Sequence, residues 1–127
     1  MKVKDIITTP VATVTPDSDV ATARDIMTFR KIGSLPVVKM DGEKAIVEGI
    51  VSTHDLNGVY DDTVKIAQVM TTKIYAVTPD TSLKRAAEVM IDKKIHHLIV
   101  LKEGAEELVG IISALDFVYL VATDQLQ

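Results

Sequence analysis

The chain has no cysteine and no tryptophan, and aromatic residues fill only 4% of its 127 positions. The first absence removes disulfides, thiolate metal sites and cysteine nucleophiles together. The second leaves the core to Val, Ile, Leu, Ala and Met, an aliphatic set suited to sheets packed against helices. Nor does any apolar run approach the roughly 18 residues that a membrane span needs. The opening MKVKDIITTP lacks the continuous apolar stretch of a secretory signal. These absences lead us to expect a soluble, cytoplasmic protein.

Excess charge of one sign is missing as well. Fourteen Lys and Arg against 18 Asp and Glu give a net charge of −4, which argues against nucleic acid and against anionic membrane as partners. No glycine-rich phosphate loop, paired nucleophile and base, or acidic metal pattern is recognisable, so the chain reads as a binding protein with no catalytic residues and no metal. Its size suits one compact domain, or two half-domains sharing a core.

What the sequence does contain is a repeat. VTPD at Val14 to Asp17 returns at Val77 to Asp80, 63 positions on. The same offset pairs Thr8 with Thr71, Thr9 with Thr72, Val20 with Leu83, Ala23 with Ala86, Met27 with Met90, Lys31 with Lys94 and Ile32 with Ile95. Farther on, GIVSTHDL (49–56) matches GIISALDF (110–117) at an offset of 61, so two residues are lost in the loop KMDGEKAIVE. Surface loops tolerate such deletions best. The boundary falls between residues 1–62 and 63–127.

Each half reads as strand, helix, strand, strand, helix. VATV and IYAV are short strands ahead of a Thr-Pro-Asp turn. Val20, Ala23, Met27 and, less regularly, Ile26 share one helical face, as do Leu83, Ala86, Ala87 and Met90. Ser18 or Asp19, and Thr81 or Ser82, are the natural N-caps. SLPVVKM and AIVEGIV form a hairpin through Asp41-Gly42, and HLIVLKE with ELVGII repeats it around Gly104. A last helix begins at Ser52 or Ser113. The fold class is α/β, of the α+β kind, with two pseudo-symmetric β-α-β-β-α motifs packed face to face.

Ser52 with Asp55, and Ser113 with Asp116, admit two readings. A serine N-cap with an acidic residue three positions later approximates a capping box, although Glu or Gln is its usual partner. The same geometry also sets a hydroxyl and free backbone N–H groups beside a strand end, where they suit a phosphate. A carboxylate one turn later suits a ribose diol. The readings are compatible, since a capping serine can face a ligand.

The duplicated order, with its Thr-Pro-Asp opening and its closing Gly, two aliphatics, Ser, two variable residues and Asp, resembles a pair of CBS domains over nearly the whole chain. That resemblance implies an adenosine-containing ligand, AMP, ADP, ATP or S-adenosylmethionine, in a cleft between the halves. One site would combine Ile111, Ser113 and Asp116 with Ala12, Ile32 and Gly33. The other would combine Ile50, Ser52 and Asp55 with Tyr75, Ile95, His96 and His97. It further implies a homodimer joined through helices, and an output to a regulated protein that the sequence does not identify. The alternative is a structural dimerisation module that binds no nucleotide.

His96 and His97 point to opposite faces of a strand, so we expect one exposed and one packed. In a subset of the resembling proteins an arginine at the second position contacts phosphate, and His97 stands there. With Lys73 or Lys94 to help, a histidine near its reference pKa of roughly 6.5 would bind phosphate best at mild acidity. Tyr75 is a base-stacking candidate or a core residue. His54 should face solvent, and Met27 and Met90 should fill gaps at an interface. Phe117, Val118, Leu120 and Val121 give the last helix more than one apolar face, consistent either with a dimer contact or with a cover for the sheet of their own half.

Overall fold

Two Thr-Pro-Asp turns open the halves in the same way. Ser18 N–H donates to Thr15 O, and Thr81 N–H to Thr78 O, each at 3.1 Å. The hydroxyl that closes each turn accepts the amide of its first threonine, Thr15 N–H to Ser18 Oγ and Thr78 N–H to Thr81 Oγ1, again at 3.1 Å. The computed structural model that provides these distances describes residues 1–7 and 10–126. Thr8 and Thr9, paired by the repeat with Thr71 and Thr72, lie outside the described residues.

Helix α1 (Val20–Arg30) follows the first turn and α4 (Leu83–Lys93) the second. Of the offered caps, Asp19 accepts from Thr22 N–H at 2.9 Å and Ser82 from Arg85 N–H at 3.1 Å. The expected faces are buried: Val20, Ala23 and Met27 in α1, Leu83, Ala86 and Met90 in α4. Met27 and Met90 lie in the cores of their own compact units. Both helices end on a lysine in the left-handed region, Lys31 and Lys94, each with φ 56. This closure lets Ile32 N–H reach Met27 O and Ile95 N–H reach Met90 O, at 3.0 Å each.

In the first half, β1 (Ser34–Asp41) and β2 (Lys44–Ser52) pair antiparallel from Ser34↔Ser52 to Asp41↔Lys44, with Gly42 at φ 63 in the turn. The register shifts between Val37, opposite Gly49, and Val38, opposite Val47, so Glu48 is the extra residue of a bulge. In the second half, β3 (Ala76–Val77) runs parallel to β4 (His97–Leu101), which has β5 (Leu108–Ser113) on its other side. Helix α2 (Thr53–Leu56) follows β2, α3 (Ile66–Val69) lies in the lead-in of the second repeat, and α5 (Ala114–Ala122) follows β5.

Two expectations are corrected in length. VATV is no strand beyond one parallel bridge, Val14 to Val37, and IYAV is a strand only at Ala76–Val77. The last helix of the first half has four residues against nine in α5. Asn57-Gly58 is the cause, with Gly58 at φ 80, whereas Phe117 to Ala122 continue a helix without interruption.

The compact units are not contiguous in sequence. One joins Met1–Val11 to Tyr75–Ala105 and Val109–Gln127; the other joins Ala12–Ile74 to Glu106–Leu108. The segment leading into each repeat therefore belongs with the body of the other. Val3 N–H donates to Thr81 O at 2.8 Å and Lys4 N–H to Pro79 O at 2.9 Å, in a short 3-10 helix over Val3–Asp5. Their repeat mates do the same in the other unit, Ile66 N–H to Ser18 O at 2.8 Å and Ala67 N–H to Pro16 O at 3.0 Å. Val3 is fully buried among Leu83, Ala86, Leu98, Ile112 and Leu120, and Ile66 among Val20, Ala23, Leu35, Val51 and Leu56. Apolar burial and backbone pairing together fix each lead-in.

Candidate functional site

Alternation along β2 and β5 prepares the two motif ends. Val51 and Ile112 point into their cores, so Ile50 and Ile111, one residue earlier, are half-buried and open on the other face. Each strand then stops at a serine with extended backbone that caps the following helix.

At Ser52 the cap is reciprocal. Ser52 N–H donates to Asp55 Oδ2 at 2.9 Å, Ser52 Oγ to the same oxygen at 3.1 Å, and Asp55 N–H to Ser52 Oγ at 3.3 Å. Asp55 Oδ1 accepts from Thr71 Oγ1 at 3.2 Å. At Ser113 the amide donates to Asp116 Oδ2 at 2.7 Å. The aspartates thus do what Glu or Gln does in the usual capping box. All four side chains remain half-exposed.

The N–H that follows each cap is held by the loop ahead of the middle strands. Thr53 N–H donates to Gly33 O at 3.0 Å, and Ala114 N–H to His96 O at 2.8 Å. Within one compact unit, Gly33 therefore stands beside the Ser52–Asp55 cap; within the other, His96 stands beside the Ser113–Asp116 cap. Ile32 and His96 are exposed, Gly33 half-buried, and Ala12 and Ile95 partly buried against their respective cores. The site expected around Asp116 takes Ala12, Ile32 and Gly33 from one unit and Ile111, Ser113 and Asp116 from the other. The site expected around Asp55 likewise takes Ile50, Ser52 and Asp55 from one unit and Tyr75, Ile95, His96 and His97 from the other.

The two histidines divide as their alternation requires, His96 exposed and His97 half-buried as the first residue of β4. Burial, and then the neighbouring charge of His96, hold the His97 pKa below its ordinary value, against the opposing pull of Asp116. This corrects the expectation of a histidine near its reference pKa, because a half-buried imidazole loses hydration of its charged form. Tyr75 packs partly buried against the core of its unit, with Lys93 Nζ 5.8 Å from its ring centroid. His54 is exposed, as expected.

The motif glycines have their own cause. A Cβ on Gly49 would come within 2.7 Å of Thr71 O, because Thr71 pairs with Ile50 through bonds of 2.8 and 2.9 Å. A Cβ on Gly110 would lie 3.4 Å from Cβ of Ile7. Ile7 and Met70 are repeat mates, so each lead-in passes over one motif glycine. Thr71 is the neighbour that sequence reasoning missed; the repeated Thr-Thr marked its position without its role.

Among the described residues, no cluster of three or more His, Asp and Glu is placed to hold a metal, and no helix is long and apolar enough to cross a membrane.

The profile of the CBS domain matches residues 3–62 and again 66–123. The CBS domain-containing protein YhcV of Bacillus subtilis is 30% identical over 117 residues, which cover 87% of this chain and 79% of YhcV. The CBS domain pair of protein MJ0100, in complex with 5′-methylthioadenosine and S-adenosyl-L-methionine, superposes with a TM-score of 0.86 at 23% identity and 98% coverage of both chains. CBSX2 in complex with AMP gives a TM-score of 0.78 at 22% identity, also covering 98% of each chain.

Proposed function

The chain belongs to the CBS-domain family, as a tandem pair with one motif in each half, and from that premise we propose that it senses an adenosine-containing small molecule. The observation that carries the proposal is the duplicated cap. A strand ends on a half-exposed serine and an aspartate folds back to it one turn later, in both halves. A serine hydroxyl at a helix start suits a phosphate or another polar group of an adenosyl ligand, and a carboxylate suits vicinal ribose hydroxyls. Support comes from MJ0100 and CBSX2, which share the fold and hold S-adenosylmethionine with methylthioadenosine, and AMP, respectively.

In this reading Ile111, Ser113 and Asp116 act with Ala12, Ile32 and Gly33, and Ile50, Ser52 and Asp55 act with Tyr75, Ile95, His96 and His97. AMP, ADP, ATP and S-adenosylmethionine are the candidate ligands. The chain binds without catalysing, in the cytoplasm, and its output passes to a dimer mate or to a regulated protein. A ligand shifts that output only as far as its affinities for two states of the pair differ. The homodimer would use α5, whose Leu115, Val118, Tyr119 and Val121 are all exposed.

A second reading has its own observation. Asp55 and Asp116 already accept the cap amides, and Asp55 accepts Thr71 as well, which is sufficient work for a structural dimerisation module. A thermal-shift series with AMP, ADP, ATP, S-adenosylmethionine and a non-adenine nucleotide separates the two. The sensing reading expects selective stabilisation by an adenosyl compound, near 2.7 kcal/mol at about one hundred times its Kd. Absence of any shift would favour the structural module.

A further inference from the structure

Asn57 is the single asparagine of the chain, and Gly58 follows it. It closes α2 with φ −62 and ψ 127, and both residues are exposed. A Cβ on Gly58 would meet nothing within 4 Å. On either side the turn is tied, Asn57 N–H to His54 O at 3.2 Å and Val59 N–H to Leu56 O at 3.1 Å. Between these ties, neither Gly58 N–H nor the Asn57 carboxamide makes a hydrogen bond among the described residues.

We infer that Asn57-Gly58 is a site of spontaneous covalent modification, in which the asparagine is converted through a cyclic imide to aspartate and isoaspartate. A water-derived base removes the Gly58 amide proton. The nitrogen then attacks Asn57 Cγ, the new C–N bond forms, the bond to the carboxamide nitrogen breaks, and ammonia leaves. Water opens the ring at either carbonyl. The balance is one water consumed and one ammonia released, with no redox change.

Three features of the fold favour the step. The attacking N–H gives up no hydrogen bond, the absence of a Cβ leaves the approach unhindered, and solvent reaches both groups. Ring closure requires rotation about the Asn57 Cα–C bond, which breaks the Val59 N–H to Leu56 O bond. That single tie is the resistance the fold offers, because α2 has ended one residue earlier. The product adds a carboxylate at the C-terminal end of α2, against the helix dipole. Isoaspartate also lengthens the main chain by one methylene, two residues beyond the Ser52–Asp55 cap.

The test incubates the folded chain and a synthetic peptide spanning residues 52–63 side by side at mildly alkaline pH. Digestion and mass spectrometry read the exchange of amide nitrogen for oxygen, and isoaspartate is read by enzymatic methylation. The folded chain should react within about tenfold of the peptide rate, the weight of one net turn hydrogen bond. Asn57→Gln should abolish methyl acceptance in the digest fragment that carries residue 57, apart from any at Asp41-Gly42 elsewhere in the chain, and Gly58→Ala should slow the reaction in both chain and peptide. A folded chain that reacts about one hundredfold or more slowly than the peptide would overturn the inference, since the turn would then be locked as firmly as core backbone.

Discussion

Thr71 O lies 2.7 Å from the point that a Cβ on Gly49 would occupy, while the Ile50 and Thr71 backbones bond at 2.8 and 2.9 Å. The lead-in of the second repeat is therefore fastened to β2 at Ile50, next to the one position of the strand without a side chain. Gly49→Ala should force that crossing apart and destabilise the chain by about 2 kcal/mol. Gly110→Ala meets only the Ile7 side chain at 3.4 Å and should cost under about 1 kcal/mol. Denaturant unfolding of the two variants checks the contrast, and equal losses would contradict it.

The exchanged lead-ins make a directional prediction. Val3 is fully buried with residues of the second repeat, so Val3→Ala should cost roughly 2 kcal/mol. Lost amide protection should concentrate in α4, β4 and β5. Ile66→Ala should instead loosen α1, β1 and β2, whose residues surround it. Hydrogen exchange on both variants reads the pattern.

A third prediction concerns pH. Burial first, and then His96, depress the His97 pKa in the folded chain below its ordinary value. The unfolded chain consequently binds the proton more readily. The contribution of neutral His97 is fully present above the unfolded pKa and is lost as pH falls through that value toward the depressed folded one. Asp116 opposes the shift, so Asp116→Asn should lower the His97 pKa further. Titration of the imidazole by NMR in wild type and variant checks the sign.

Much of this arrangement was legible before any coordinates, because duplication supplies its own control. Val20 with Leu83 and Ala23 with Ala86 occupy equivalent buried positions, and periodicity alone placed them. The Ser52 and Ser113 caps were likewise visible in local spacing. The exchange of lead-ins was not, since a repeat offset says which residues are equivalent and nothing about which body each one joins. Nor was the role of Thr71, a long-range contact across sixteen positions with no local signature. VATV misled because β-branched residues suit a strand, yet among the described residues its pairing amounts to one bridge, Val14 to Val37. The imidazole of His97 misled for a related reason: burial is a tertiary property, and sequence offers only the reference value.

The account depends most on whether the capping aspartates also hold a ligand. The direct measurement is isothermal calorimetry of AMP and of S-adenosylmethionine on wild type, Asp55→Asn and Asp116→Asn. Asparagine keeps an acceptor oxygen for the cap, so each variant should stay folded, with a stability loss within about 1 kcal/mol. The account predicts that one adenosyl compound binds the wild type, and that one of the two substitutions weakens it at least about tenfold, a loss of about 1.4 kcal/mol. Binding unchanged in both folded variants, or none by wild type up to about 1 mM, would contradict it and leave Ser52, Asp55, Ser113 and Asp116 as helix caps alone.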